Sequence, residues 1–179
     1  MAINTLQEKF SHELRDIYDA EHQFLQGQEL MLKNASDPKL KQMITEHIAQ
    51  TEQQIRNLEQ VFNVLGEQPQ REMCDGAKGI LSEGQKLLKE TQGLDKIQDC
   101  AIAGAASKVE HYEIATYRGL IMGADLMGQR GIVSLLQQNL EQEESTAQLI
   151  EQSMPELLQK AMKGGDMQQD SYSQASPTY

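Results

Sequence analysis

The chain has 179 residues, 16 basic against 27 acidic side chains for a formal charge of −11, 4% aromatic residues, no tryptophan and only four prolines. This is the length of about one domain that can bury a core without disulfides, and its composition is that of an all-α protein. The negative charge argues against nucleic-acid and anionic-membrane partners; no run of about 18 apolar residues and no basic-then-apolar leader follows Met1, and Cys74 and Cys100 form no framework, so a soluble cytoplasmic protein with reduced thiols is expected.

The first predicted helix covers residues 5–34, with Leu6, Phe10, Leu14, Ile17, Phe24, Leu25 and Leu32 at three- and four-residue steps and Asn4 or Thr5 as cap. Asp37 then reads as an N-cap with Pro38 at the first helical position. The second helix carries Leu40, Ile44, His47 or Ile48, Thr51, Ile55, Leu58, Phe62 and Leu65 on its stripe and stops at Gly66. Residues 67–95 are the least regular and contain a short helix near 77–91. A third long helix, rich in alanine, spans 95–124, and Gly128 to Gly131 break the chain. The fourth runs from Ile132 to about Ser153, with Pro155 leaving open an extension to Met162. Residues 1–163 are thus assigned to one domain and 164–179 to a polar, disordered tail.

The order is two long helices, a long crossover with a short helix, and two more long helices. Two helical hairpins joined by such a crossover make the ferritin-like form of the four-helix bundle.

Five residues stand on the apolar stripes although they are polar. Glu21 lies between Ile17 and Leu25, His47 between Ile44 and Thr51, Glu110 four before Ile114, Glu113 four before Tyr117, and Glu143 three after Leu140. Folding the first hairpin about Ala35 puts Glu21, fourteen residues before, near the level of His47, twelve after. About Gly128, Glu113 and Glu143 are each fifteen residues away. Other acids, among them Glu8, Glu52, Glu59, Asp99 and Glu141, lack this agreement. With twenty-seven acids on helical sequence, one on a stripe by chance is common, and edge glutamates reach out to water. A matched level across four helices points instead to a shared polar centre, and a metal is the common way to hold buried carboxylates. The usual Glu-x-x-His pairs of di-metal bundles are incomplete here: His47 precedes Gln50, and Glu143 precedes Thr146.

These residues carry a resemblance over about residues 4–160. The run from Leu14 through Tyr18 to Glu21, His47 with Thr51 and Gln54, Leu58 to Gly66, Cys74 with Gly79 and Ile80, the block Lys108-Val-Glu110-His-Tyr-Glu113-Ile-Ala115-x-Tyr117, and Glu143-Glu144 together resemble the YciE/YciF-like family of bacterial ferritin-like proteins. The resemblance implies a dimeric bundle made during stress, with a di-metal centre at Glu21, His47, Glu110, Glu113 and Glu143. Relatives commonly have glutamate where this chain has Gln50, and some have aspartate where it has Ala147. Two functions follow as expectations. One is a di-iron or di-manganese centre acting on peroxide or oxygen, with Tyr18, Tyr112 or Tyr117 as nearby donors. The other is a structural or interaction protein that kept the bundle and lost the metal.

Overall fold

Helix ends fall where local chemistry marks them. A computed structural model describes the backbone of residues 2–173 and the side chains of residues 2–163. Its five helices are α1 (Leu6–Asn34), α2 (Pro38–Leu65), α3 (Asp75–Glu90), α4 (Asp95–Leu126) and α5 (Arg130–Ser173), with no strand among the described residues. Thr5 caps α1 in a capping box with Glu8, each side chain accepting from the other's backbone N–H. Asp37 accepts from the N–H groups of Lys39 and Leu40, and Pro38 opens α2. Gly66 ends α2 at φ 71°, a left-handed conformation that a β-carbon would strain.

The four long helices form a ring in which α1 packs on α2 and α4, and α5 packs on α2 and α4. The crossover helix α3 lies against α1 and α4. This is the expected ferritin-like arrangement. The apolar core divides into two clusters, one around Phe10, Leu14, Phe24, Leu58, Phe62, Tyr117 and Leu136, the other around Met31, Leu40, Ile44, Ile102, Ile150 and Leu157. Along α2 the two are separated by the buried polar residues His47, Thr51 and Gln54.

The last helix is longer than the expected end near Met162. Its backbone continues through Pro155 and past Gly164-Gly165 to Ser173, so it takes in the first part of the predicted disordered tail; residues 174–179 lie outside the described residues. Proline removes one backbone donor from the helix interior. Beyond it Leu157 and Ala161 remain buried, and Lys160 holds the Asp37 carboxylate at 2.7 Å. Those tertiary ties secure the turn that propensity alone would end.

The α1–α2 turn is clamped from α4. Asp99, which lacks the stripe agreement of the site acids, is 1% exposed and accepts from the Ser36 N–H at 2.7 Å, the Ser36 hydroxyl at 2.6 Å and the Asp37 N–H at 3.1 Å. Replacing it by alanine leaves those donors without their partner. Asp99→Ala is expected to cost about 2–3 kcal/mol in urea unfolding, and a change below about 0.5 kcal/mol would show that the clamp contributes little.

Candidate metal centre

The helical period turns all five stripe residues inward. Glu21 and Glu143 are 0% exposed, Glu110 and Glu113 1%, and His47 5%. His47, Glu110, Glu113 and Glu143 each offer a donor atom, and these atoms lie within 4.8 Å of one another. His47 Nε2 is 3.2 Å from Glu110 Oε1 and 3.8 Å from Glu143 Oε2. Glu21 stands outside that group of four, its Oε1 accepting from the Tyr117 hydroxyl, though its charge is felt at Glu110 and Glu113.

A layer of neutral polar residues fixes these side chains. His47 Nδ1 faces Gln50 Oε1 at 3.1 Å, with the Thr146 hydroxyl 3.3 Å from the same nitrogen. An amide oxygen only accepts, so Nδ1 carries the proton towards it, and in the neutral ring Nε2 keeps its lone pair towards the carboxylates. Gln50 is thereby a positioning residue for the imidazole. Gln54 donates from Nε2 to Glu143 Oε1. Asn139 donates to the Tyr117 oxygen at 3.0 Å and accepts from Asn57 at 2.7 Å. Ala147 is buried in the apolar core beside this layer.

Buried acids elsewhere in the molecule are satisfied. Asp19 accepts from Arg71, Gln23 and the Cys74 N–H, and although burial works to raise its pKa, those bonds bring it below the usual value. Asp37 is held low chiefly by the Lys160 hydrogen bond. The central acids differ. Glu21 Oε2, Glu110 Oε2, both Glu113 oxygens, Glu143 Oε2 and His47 Nε2 are buried with no hydrogen-bond partner. Among the described residues no Lys or Arg pairs with any of the four glutamates. Burial pushes all four carboxyls up, Glu110 to about 7, and the repulsion of neighbouring carboxylates adds to the rise at Glu21, Glu113 and Glu143. Burial and the neighbouring Glu21 likewise keep Tyr117 protonated as a donor.

Such a cluster could hold a metal ion. A cation supplies the missing charge, consumes the orphaned lone pairs, and meets one imidazole nitrogen with several carboxylate oxygens, a donor set suited to iron or manganese. The residues present therefore fit the group.

Of the three tyrosines expected nearby, Tyr117 alone bonds a central acid. Tyr18 donates to Glu59 at 3.1 Å, and Tyr112 contacts Cys74 Sγ at 2.9 Å and Asp16 at 3.1 Å. His22 packs edge-on against Tyr18, and His111 is exposed. Gln54 enters the sequence reading only through the family resemblance, and Asn139 not at all. The same stripe arithmetic finds them, Gln54 four before Leu58 and Asn139 three after Leu136, once neutral polar residues are included.

Comparison with known proteins gives consistent relatives. The family described as "Domain of unknown function (DUF892)" matches residues 5–163. Protein YciF of Escherichia coli (strain K12) is 33% identical over 147 residues, 82% of this chain and 88% of that one. The crystal structure of YciF, described as a stress protein, superposes with a TM-score of 0.77 over 92% of this chain and 99% of that one, at 30% identity. YcfI from Rhodopseudomonas palustris, for which a structural role has been suggested, gives a TM-score of 0.81 at 36% identity, covering 83% of this chain and 94% of that one.

The raised carboxyls set a pH dependence. A carboxyl with a higher pKa in the folded state keeps a proton that the unfolded chain has lost. Its stabilising contribution is full below the usual 4.5 and declines as pH rises through the folded value, about 7 for Glu110. Protein stripped of metal with chelator is expected to lose stability to urea between about pH 5 and 7.5, above the range where the lowered Asp19 and Asp37 act in the opposite sense. A flat or rising midpoint over that range would contradict the assignment.

Proposed function

Because the chain belongs to the DUF892 family and is YciF-like along most of its length, we propose that it is a bacterial stress-response bundle whose buried cluster holds a pair of iron or manganese ions for redox chemistry with oxygen or peroxide. The observation that carries this reading is the set of unpartnered donor atoms on His47, Glu21, Glu110, Glu113 and Glu143 in a core with no basic side chain to answer them. His47, Glu110, Glu113 and Glu143 would hold one ion, and Glu21 with carboxylates of that group would hold a second. Four carboxylates balance two divalent charges, so the filled core would be close to neutral. Bound there, iron or manganese supplies one-electron steps and a Lewis acid.

The chain's own residues prepare that site. Gln50 and Thr146 orient His47, Gln54 fixes one oxygen of Glu143, and Tyr117, steadied by Asn139, holds a proton against Glu21. No helix among the described residues is long and apolar enough to cross a membrane. Following the family resemblance, the protein is further proposed to be a cytoplasmic homodimer.

A second reading, a metal-free structural protein, is favoured by one observation. Ala147, where the family resemblance implies an acid in some relatives, is buried in the apolar core. Metal content separates the two. After anaerobic loading with ferrous or manganous ion and desalting, the metal reading expects about two ions per chain, whereas fewer than about 0.2 supports the structural one. Glu113→Leu should reduce loading at least fourfold while stabilising chelated protein by about 1–3 kcal/mol, since a buried unpartnered acid is replaced by an apolar side chain of similar size. Loading unchanged in that variant would place the ions elsewhere.

A further inference from the structure

A cavity of about 30 Å³ lies inside the bundle, walled by Phe24, Met31, Met43, Ile44, Val109 and Ile150. At one end it reaches His47 and Glu110, two residues of the cluster. Its wall surface is almost entirely carbon: Gln28 turns its amide nitrogen to Thr51 and His47 its Nδ1 to Thr146, while the unpartnered Gln28 Oε1, His47 Nε2 and Glu110 Oε2 are buried beneath that surface. A volume of this size admits about two water-sized spheres, but water stays in a cavity only with two or more polar partners. The chamber is therefore built to be dry. Met31 and Met43 make two of its walls pliable.

A second, smaller cavity of about 10 Å³ lies between α1, α3 and α4, where Gly84 and Gln85 border it. Met31 of α1, Leu81 of α3 and Val109 of α4 line both cavities, so their side chains form the partition between them. Gly27 on α1 makes room for that partition, since a β-carbon there would overlap the Leu81 methyl. The crossover helix thus supplies one of the three side chains that separate the two cavities.

We infer that the chamber is a binding site for a small, uncharged, apolar molecule of two or three heavy atoms, held at the His47–Glu110 edge of the cluster with Leu81 as part of its wall. Dioxygen is the redox-active member of that class. Hydrogen peroxide fits in size, yet its two hydroxyls would surrender water partners that carbon walls cannot replace. The link to redox chemistry rests on the proposed metal centre; the binding of the apolar molecule does not.

Xenon is the probe, because it binds through dispersion alone. Crystals of the full chain, chelated and iron-loaded, are pressurised with xenon and the metal content of each sample is measured separately. The expected result is an anomalous xenon peak in the chamber in contact with Met31 and Met43, lost in Ala106→Leu, which fills the chamber wall, and at least twofold more occupied in Leu81→Ala. Ordered waters in the chamber, or xenon bound only elsewhere, would overturn the inference. A chamber peak in protein that takes up no metal upholds the apolar site and defeats the metal reading alone, while metal uptake with no chamber peak does the reverse.

Discussion

Four carboxylates share one buried core with a single imidazole and, among the described residues, no Lys or Arg paired to them, and the rest of the molecule is arranged around that concentration of acid groups. Removing a carboxylate from water without a partner costs several kcal/mol, or forces the group to keep its proton. The raised pKa of Glu110, Glu113, Glu143 and Glu21 is the second outcome, and it leaves several oxygens with nothing to bond. The same chain satisfies Asp19, Asp37 and Asp99 fully, each by loop amides or a basic side chain. The strain is therefore confined to one place. A core that, among the described residues, leaves buried carboxylates unpartnered only there has the pattern expected of a site kept for binding rather than for stability.

The bundle holds this core by surrounding it with ordinary packing. Two apolar clusters flank the polar residues along α2, and the capped, clamped α1–α2 hairpin sets the register between Glu21 and His47. Neutral polar side chains then fix three of the five, His47, Glu143 and Glu21, by a hydrogen bond that uses one end of the group and leaves the other free. Gln50 takes the Nδ1 side of His47, Gln54 one oxygen of Glu143, and Tyr117 one oxygen of Glu21. Half-used donors, all turned to one space, are the structural meaning of preorganisation here.

Much of this architecture was legible in the sequence because it depends on period and punctuation. Asp37-Pro38 and Gly66 place a helix start and stop, and three- and four-residue spacing puts Glu21, His47, Glu110, Glu113 and Glu143 on buried faces. What periodicity cannot supply is the partner of a side chain, which depends on how neighbouring helices rotate against each other. Gln50 looked like a lost ligand because spacing compares it with an acid, whereas contact with His47 gives it another task. Asp99 falls outside the stripe count and is buried all the same, because its partners, Ser36 and Asp37, belong to a turn sixty-odd residues away. Tyr18 and Tyr112 share their helices with site residues but face other neighbours. The length of α5 escaped for a similar reason, since Leu157 and Lys160 hold it past a proline by contacts with α2 and its cap.

The central claim is that the unpartnered atoms of His47 and the four glutamates await a cation. Anomalous diffraction from crystals of the full chain loaded with iron or manganese, recorded above and below the metal edge, tests it most directly. The account predicts an anomalous peak bonded to His47 Nε2 and to oxygens of Glu110, Glu113 and Glu143. A core without a peak, in which those carboxyls hydrogen-bond one another as neutral acids, would contradict it.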